Sequence, residues 1–272
     1  MKLMVQLYYL NLRISIVGVK YERFSNFFTH MENEMLVYER QQQIVKYLKE
    51  KRFATIKELS GVVWSSEASV RRDIKALEAK GYVKQIYGGV MLPENDNTVV
   101  PVVLRDNSNS VAKEMIARLA AEELFDGATV IMDGSSTVRR IINHIDKFTN
   151  LKIITNNVRI FNECEARGVK LYCTGGLFSA DNNIFVGSAA ERYISEINAD
   201  VLFFSSQALS LDGEISDASE EETSLRRVML SRAKRKIFLC DSSKIGKKRT
   251  FTVCNTSDVD RIICDTSLPF DN

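Results

Sequence analysis

Seven short, mostly apolar runs constrain the fold of this chain more than any other feature. They are Ala128–Met132, Leu151–Ile154, Val169–Cys173, Val201–Phe204, Lys236–Cys240, Thr250–Cys254 and Arg261–Cys264. Stretches with helical spacing fall between the early runs, at about Val138–Ile145, Val158–Arg167 and Ala189–Ile197, and another spans Glu222–Lys234. A strand that is apolar along its whole length must be covered on both faces, and parallel neighbours need the long crossovers that helices supply. The alternation therefore predicts an α/β fold on a mostly parallel sheet. An alanine-rich helix, Ala112–Leu124, leads into it, and the sequence holds no internal repeat or low-complexity tract.

The chain ahead of this pattern reads differently. Glu39 to Lys51 has Ile44, Tyr47 and Leu48 at one-face spacing and predicts a helix. Thr55-Ile56-Lys57-Glu58 is a capping box, in which the threonine hydroxyl and the glutamate satisfy each other's backbone amides and open a second short helix to about Val62. After a turn at Val63–Ser65 a third helix starts near Ser66 and stops at Gly81, a residue suited to a left-handed C-terminal position. Tyr82 to Leu92 then reads as two strands around Gly88-Gly89. Three helices and a hairpin are the outline of a winged helix-turn-helix. The expected organisation is thus a DNA-binding domain over 35–93, a polar linker over 94–109 that includes Pro101, and an α/β domain over 110–272. Residues 1–34 read as an upstream extension, unstructured or a start assigned too early; a membrane-surface anchor is the competing reading, and no cleavage site or full span is present.

Charge follows the same division. Residues 35–93 carry 11 Lys/Arg against 6 Asp/Glu, whereas 94–272 carry 22 against 26. A basic small segment beside a mildly acidic larger one suits a nucleic-acid reader joined to a regulatory domain. In the third helix Val70, Ile74 and Leu77 fall on one face, which leaves Ser66, Ser69, Arg71, Arg72 and Lys75 toward solvent. Arginine grips guanine bidentately or pairs with phosphate, and serine suits phosphates and bases alike. A solvated basic face would look the same in isolation; the capping box before it and the hairpin beyond it favour DNA.

Five scattered cysteines without a CxxC pair fit reduced thiols in a cytoplasmic protein. With only His30 and His144, histidine-based catalysis or metal chemistry has little to work with, and no motif suggests a metal, a nucleoside triphosphate or a flavin. No cofactor and no catalytic residue is expected. The polar sequence that does stand out is Asp133-Gly134-Ser135-Ser136-Thr137, which follows a predicted strand and opens a predicted helix. Backbone amides and hydroxyls at such a turn can cradle a phosphate, although a plain helix cap is commoner. Three more polar clusters end other strands: Thr155-Asn156-Asn157, Thr174-Gly175-Gly176 and Asp241-Ser242-Ser243-Lys244. Ligands of open parallel sheets bind at carboxyl ends of strands, so these segments are expected to converge.

These motifs resemble those of DeoR-type (DeoR/GlpR) transcriptional regulators. Residues 38–92 resemble the family's DNA-binding domain in Ser69-Val70-Arg71-Arg72-Asp73-Ile74, then Leu77-Glu78-Ala79-Lys80-Gly81, then the wing Tyr87-Gly88-Gly89. The resemblance makes Tyr87, Gly88 and Gly89 DNA-contacting candidates. Trp64 departs from the small β-branched residue usual at that turn, a bulk that bears on how the second and third helices pack. From about Arg105 to Asp265 the chain resembles the family's sensor domain, which is similar in fold to ribose-5-phosphate isomerase and generally responds to phosphorylated sugars. Carried across, Asp133 to Thr137 take the phosphate loop, with Gly134 and Ser135 shifted from the usual order; Asn156, Gly175, Gly176, Asp241 and Lys244 fall on the other family motifs. Lys113 matches a family lysine, though its residues alone read as an exposed helix position. The family's acidic, glycine-rich loop is replaced by Ser205-Ser206-Gln207-Ala208-Leu209, and Ser224 stands near an expected glutamate, with Glu220–Glu222 close by.

The resemblance implies a homo-oligomeric repressor of carbohydrate-metabolism genes that binds double-stranded operator DNA and is released by a phosphorylated sugar or related anion. Two alternatives stay open: a sugar-phosphate isomerase-like enzyme, and a constitutive DNA-binding protein whose sensor has no ligand.

Overall fold

A computed structural model of the chain describes residues 37, 40–79, 82–93, 105–106, 108–165, 167, 169–180 and 182–268. The expectations for residues 1–34 and for Gly81 lie outside these. The chain divides into two compact units, residues 1–93 and 94–272.

In the first unit helix α1 (40–51) leads to β1 (Phe53–Ala54), α2 (Ile56–Val62), α3 (Glu67–Ala79), β2 (Lys84–Ile86) and β3 (Gly89–Met91). The Thr55 capping box forms as predicted: Thr55 Oγ1 accepts from the Glu58 amide at 3.1 Å and Glu58 Oε2 accepts from the Thr55 amide at 2.7 Å. Ile44, Leu48, Leu59, Val70, Ile74 and Leu77 are buried together. The wing has one strand more than expected, because β1 pairs antiparallel with β3, which also pairs with β2. Its two glycines do separate work. Gly88 has φ +89° in the hairpin turn, and a Cβ on Gly89 would lie 2.4 Å from the Ala54 carbonyl oxygen, so only glycine lets β3 close on β1.

The second unit is built on six strands in the order β14-β12-β9-β4-β5-β6, all neighbours parallel. These strands are β4 (Thr129–Met132), β5 (Lys152–Thr155), β6 (Lys170–Cys173), β9 (Ala199–Phe204), β12 (Ala233–Cys240) and β14 (Arg261–Cys264). Helix α4 (Ser110–Ala121) leads into β4, and α5 (Ser136–Arg139), α6 (Ile160–Glu165), α7 (Ser188–Ser195) and α8 (Glu220–Arg232) lie in the crossovers from β4 to β12. Side chains alternate between two cores. Val130 and Met132, Val201 and Phe203, Ile237 and Leu239 pack on one face with Ile116 and Ile141. Ile131, Leu202, Phe204 and Phe238 pack on the other with Ile194, Leu225 and Met229. The doubly covered parallel sheet is what the apolar runs demand.

Three departures from the sequence reading matter. Thr250–Cys254 forms a strand, β13 (Phe251–Asn255), outside the parallel sheet; it pairs antiparallel with β11 (Glu214–Asp217), which pairs with β10 (Ala208–Leu209). A hairpin of β7 (Leu177–Ser179) and β8 (Ile184–Val186) was not foreseen. The helix expected over Val138–Ile145 is the four-residue α5 followed by a 3-10 turn, Arg140–His144. Over so short a run the two windings bury the same apolar spacing, Val138, Ile141 and Ile142, so periodicity could not separate them.

Candidate functional site

The reading face of α3 is exposed as the sequence predicts. Ser66, Arg71, Arg72 and Lys75 are exposed and Ser69 is half-buried. Ser66 Oγ accepts from the Ser69 amide at 3.2 Å and so caps the helix, while Arg72 Nη2 donates to Ser69 Oγ at 3.3 Å. Arg71 meets Glu67 at 3.4 Å in the open, a contact too weakly held to keep its guanidinium from a phosphate. Asp73 does not face solvent: it is buried, and Arg40 Nη2 donates to its Oδ1 at 3.2 Å, fastening α1 to α3. Tyr87 is fully exposed at the wing tip beside exposed Gly88, whereas half-buried Gly89 serves the strand contact described above. Trp64 is 95% exposed and does not pack between α2 and α3. It has φ +47° where the Ser65 amide returns to the Ser60 carbonyl, so an indole occupies a left-handed helix-end position that normally favours glycine.

In the second unit the chain lays down β4, then β5 and β6 to one side, then β9, β12 and β14 to the other. The order reverses between β4 and β9, and there the polar loops converge at the carboxyl edge, as expected for a ligand site on such a sheet. Asp133, at the end of β4, is buried. Its Oδ1 accepts from the Ser135 amide at 2.9 Å and its Oδ2 from the Ser205 amide at 3.1 Å. Asp133 also takes Arg226 Nε at 2.8 Å; the same guanidinium reaches Asp217 at 2.9 Å and Glu222 at 2.7 Å. Burial opposes the charge on Arg226, but Asp217, Asp133 and Glu222 outweigh it and hold the guanidinium firmly protonated.

Two lysines close the other side. Lys113 on α4 is not the exposed lysine its residue type implied: it is 3% exposed, and its Nζ donates to Ser136 Oγ at 3.3 Å and to the Arg105 carbonyl. Lys244, after β12, donates to Ser205 Oγ at 2.7 Å and lies 3.6 Å from Asp241. Burial, then the charge of Lys244, push Lys113 down to about 7. Burial alone would raise Asp241, but Lys244 and hydrogen bonds from Ser243 and Asn109 hold it below the usual carboxylate range. Lys113 and Lys244 thus stand on one side of these loops with Asp241 beside Lys244, while Asp133, Asp217 and Glu222 are committed to Arg226. Two loop amides are already used, Ser135 by Asp133 and Val138 by Ser135 Oγ. Those of Ser136 and Thr137 are the orphan donors of a helix start. The Thr137 hydroxyl, 0% exposed, has no partner among the described residues.

Asn156 sits beside this loop. Its Nδ2 donates to the Phe185 carbonyl at 2.9 Å, which fixes the amide's orientation, and its buried Oδ1 has no partner among the described residues. That oxygen lies 3.4 Å from where a Cβ on Gly134 would stand, and Ile184 Cγ2 would be 2.4 Å from it, so the second loop position admits only glycine. Gly175 and Gly176 end β6, two strands from β4, and have turn roles: φ is +61° and +112°, and a Cβ on Gly176 would meet the Val186 carbonyl at 2.7 Å. Sequence reasoning missed Arg226 and Asp217, and had Glu222 only as one of three acids, Glu220–Glu222, close to an expected glutamate. Asp217 of β11 and Glu222 of α8 place acids beside Ser205–Leu209 through Arg226 and Ser206.

Comparison with known proteins bears on both units. The family model described as the DeoR C terminal sensor domain matches residues 108–266, and that of the DeoR-like helix-turn-helix domain matches residues 40–96. The chain belongs to the DeoR family. It is 30% identical over 237 residues to an Escherichia coli O157:H7 protein carrying the provisional name aga operon transcriptional repressor, covering 86% of this chain and 88% of that one. This DeoR-family chain is 27% identical to the transcriptional regulator GolR of Listeria innocua, covering 86% and 92%, and 26% identical to GlpR of Haloferax volcanii, covering 88% and 93%. Ribose 5-phosphate isomerase A of Methanocaldococcus jannaschii aligns with 51% of this chain and 55% of its own at 16% identity and a TM-score of 0.38, a likeness too slight to bear on function. As a DeoR-type transcriptional regulator the chain joins a DNA-binding helix-turn-helix to a sensor domain, and no helix among the described residues is long and apolar enough to cross a membrane.

Proposed function

We propose that the protein is a cytoplasmic, homo-oligomeric repressor of carbohydrate-metabolism genes, released from its operator by a phosphorylated sugar. Ser66, Ser69, Arg71, Arg72 and Lys75, with Tyr87 and Gly88 of the wing, read the duplex. Gly89 shapes that wing. The single observation that carries the sensor reading is a pair of lysines, one buried and one half-buried, held to neighbouring strand-end loops, Lys113 bonded to Ser136 and Lys244 to Ser205, with the charge of Lys244 felt at Lys113. A dianion there gains two charge-assisted hydrogen bonds and faces the first-turn amides of Ser136 and Thr137. Asn156 Oδ1, an acceptor without a donor, suits a hydroxyl of the same ligand. Asp133 orders the loop through its amides, and Asp241 orients Lys244. Gly134 and Ser135 shape the loop; Gly175 and Gly176 shape the rim.

An isomerase reading is less well supported. Proton transfer between sugar carbons needs a carboxylate free to act as base. Asp133, Asp217 and Glu222 are instead each bonded to Arg226. Calorimetry and thermal shift against pentose, hexose, ketose and polyol phosphates, each paired with its unphosphorylated sugar, test the proposal. A phosphorylated sugar should stabilise the protein and lower its affinity for DNA, while the free sugar does neither. Ser136→Asp should abolish that response and leave DNA binding intact. Uniform failure of the phosphates, or equal binding of free sugars, would favour the ligand-free alternative.

A further inference from the structure

Arg105 and Asp106 belong to the second unit and follow in sequence directly on the segment that joins it to the DNA-reading unit. They are bound to the anion site at three points. The Arg105 carbonyl accepts from Lys113 Nζ, the same ammonium that holds Ser136. Arg105 Nη2 donates to Asn182 Oδ1 at 2.9 Å, Asn182 Nδ2 donates to Glu222 Oε1 at 2.7 Å, and Glu222 pairs with Arg226, which holds Asp133. Asp106 pairs with Arg159 and, at 3.2 Å, with Arg139, while its carbonyl accepts from Arg140 Nη2 at 2.8 Å. Arg139 and Arg140 follow the Asp133–Thr137 loop with only Val138 between, one ending α5 and the other opening the 3-10 turn.

We propose that an anion seated between Lys113 and Lys244 fastens the Arg105–Asp106 segment to the rest of the sensor unit, with Lys113 and Asp106 as the positioning residues of that coupling. The inference rests on the anion site proposed above. Its physical basis is that one ammonium serves both the site and the segment. An anion beside Lys113 keeps that side chain charged, and a hydrogen bond from a charged donor to the Arg105 carbonyl is about twice as strong as one from a neutral donor. Asp106 adds the second hold, because any shift of the 133–137 loop moves the arginines that grip it.

Hydrogen–deuterium exchange on the full-length protein, with inorganic phosphate as the probe, tests this. In the wild type, phosphate should raise the melting temperature and slow exchange of the amides between Arg105 and Ala112 by about fivefold, the change from a neutral to a charge-assisted bond. Lys113→Met should remove both effects. Asp106→Ala should keep the thermal shift but lose the slowing, a split that a merely structural role would not produce; Asp106→Glu should restore it. Should Asp106→Ala not fold, Arg105→Ala, which removes only the Asn182 tie, should reduce the slowing while the thermal shift persists. Phosphate that stabilises the wild type without slowing exchange in this segment would overturn the coupling alone. Phosphate without any stabilising effect would overturn the anion site, and the coupling with it.

Discussion

Replacing Arg226 by methionine should unfold the sensor unit at much lower temperature and make the variant more stable as pH falls. The guanidinium contacts Asp133 at 2.8 Å, Asp217 at 2.9 Å and Glu222 at 2.7 Å, and all four side chains are 4% exposed or less. Methionine fills much of the volume but leaves three buried carboxylates facing one another. Removing one partner of a buried ion pair costs roughly 3–5 kcal/mol. For a domain of this size that is a fall of roughly 6–20 °C in Tm. In the variant, burial and mutual repulsion raise the carboxylates above their unfolded pKa. The folded state then binds more protons than the unfolded one, so stability increases as pH falls from 8 toward 5, by up to about 1.4 kcal/mol per pH unit for each proton taken up. Hydrogen–deuterium exchange read separately for peptides of each unit should show the loss in the sensor unit while the first unit moves little. A variant within about 1 kcal/mol of the wild type, or one destabilised equally at pH 5 and pH 8, would refute the buried-triad reasoning.

Three further outcomes are expected. Arg71→Ala or Arg72→Ala should weaken binding to a duplex selected by the wild type by roughly 1–3 kcal/mol with the fold intact, and wild-type binding should fall steeply with salt; fluorescence anisotropy measures both. Because Lys113 is held at about 7, sulfate, a dianion throughout the range, should bind with proton uptake and lose affinity by up to about tenfold per pH unit as pH rises from 7 to 9. Calorimetry in buffers of different ionisation enthalpy should show the uptake in the wild type and its loss in Lys113→Met. Trp64→Gly should stabilise the first unit by about 1 kcal/mol, since the indole makes no buried contact to lose and glycine relieves a left-handed φ; urea unfolding followed by circular dichroism would show no gain if the indole were packed.

Much of the framework was legible because local chemistry and global packing agree. The Thr55 capping box needs no tertiary partner, and a strand apolar on both faces has one way to be buried. The edges were less so. β7, β8, β10 and β11 are only two to four residues long, and β11 also pairs with the distant β13, so nothing in Leu177–Ser179 or Glu214–Asp217 announces a strand. β13 has the composition of its parallel neighbours, and only the contacts of β11 draw it into another sheet.

The site was legible at its strand ends and obscure on its helices, for one physical reason. Loop residues such as Asp133, Ser136 and Lys244 stand out where a strand stops, but a charged residue within a helix is ordinarily taken for solvent-facing. Lys113 falls on the face of Ile116, Ala117 and Ala120, at i+3, i+4 and i+7, and all three are buried. Arg226 shares its face with Met229 and Leu230 ahead and with Glu222 and Thr223 behind, again all buried. An ionisable group at an inward helical position must be paired or hydrogen-bonded, because burying it alone costs more than most folds can offset. The helical period thus already pointed both cations inward. Taken with the need for partners, it leads Arg226 to its i−4 neighbour Glu222, and Lys113 to the strand-end loops facing α4. What period alone cannot supply is the identity of partners distant in sequence: Asp133 and Asp217 for the arginine, Ser136 and the Arg105 carbonyl for the lysine.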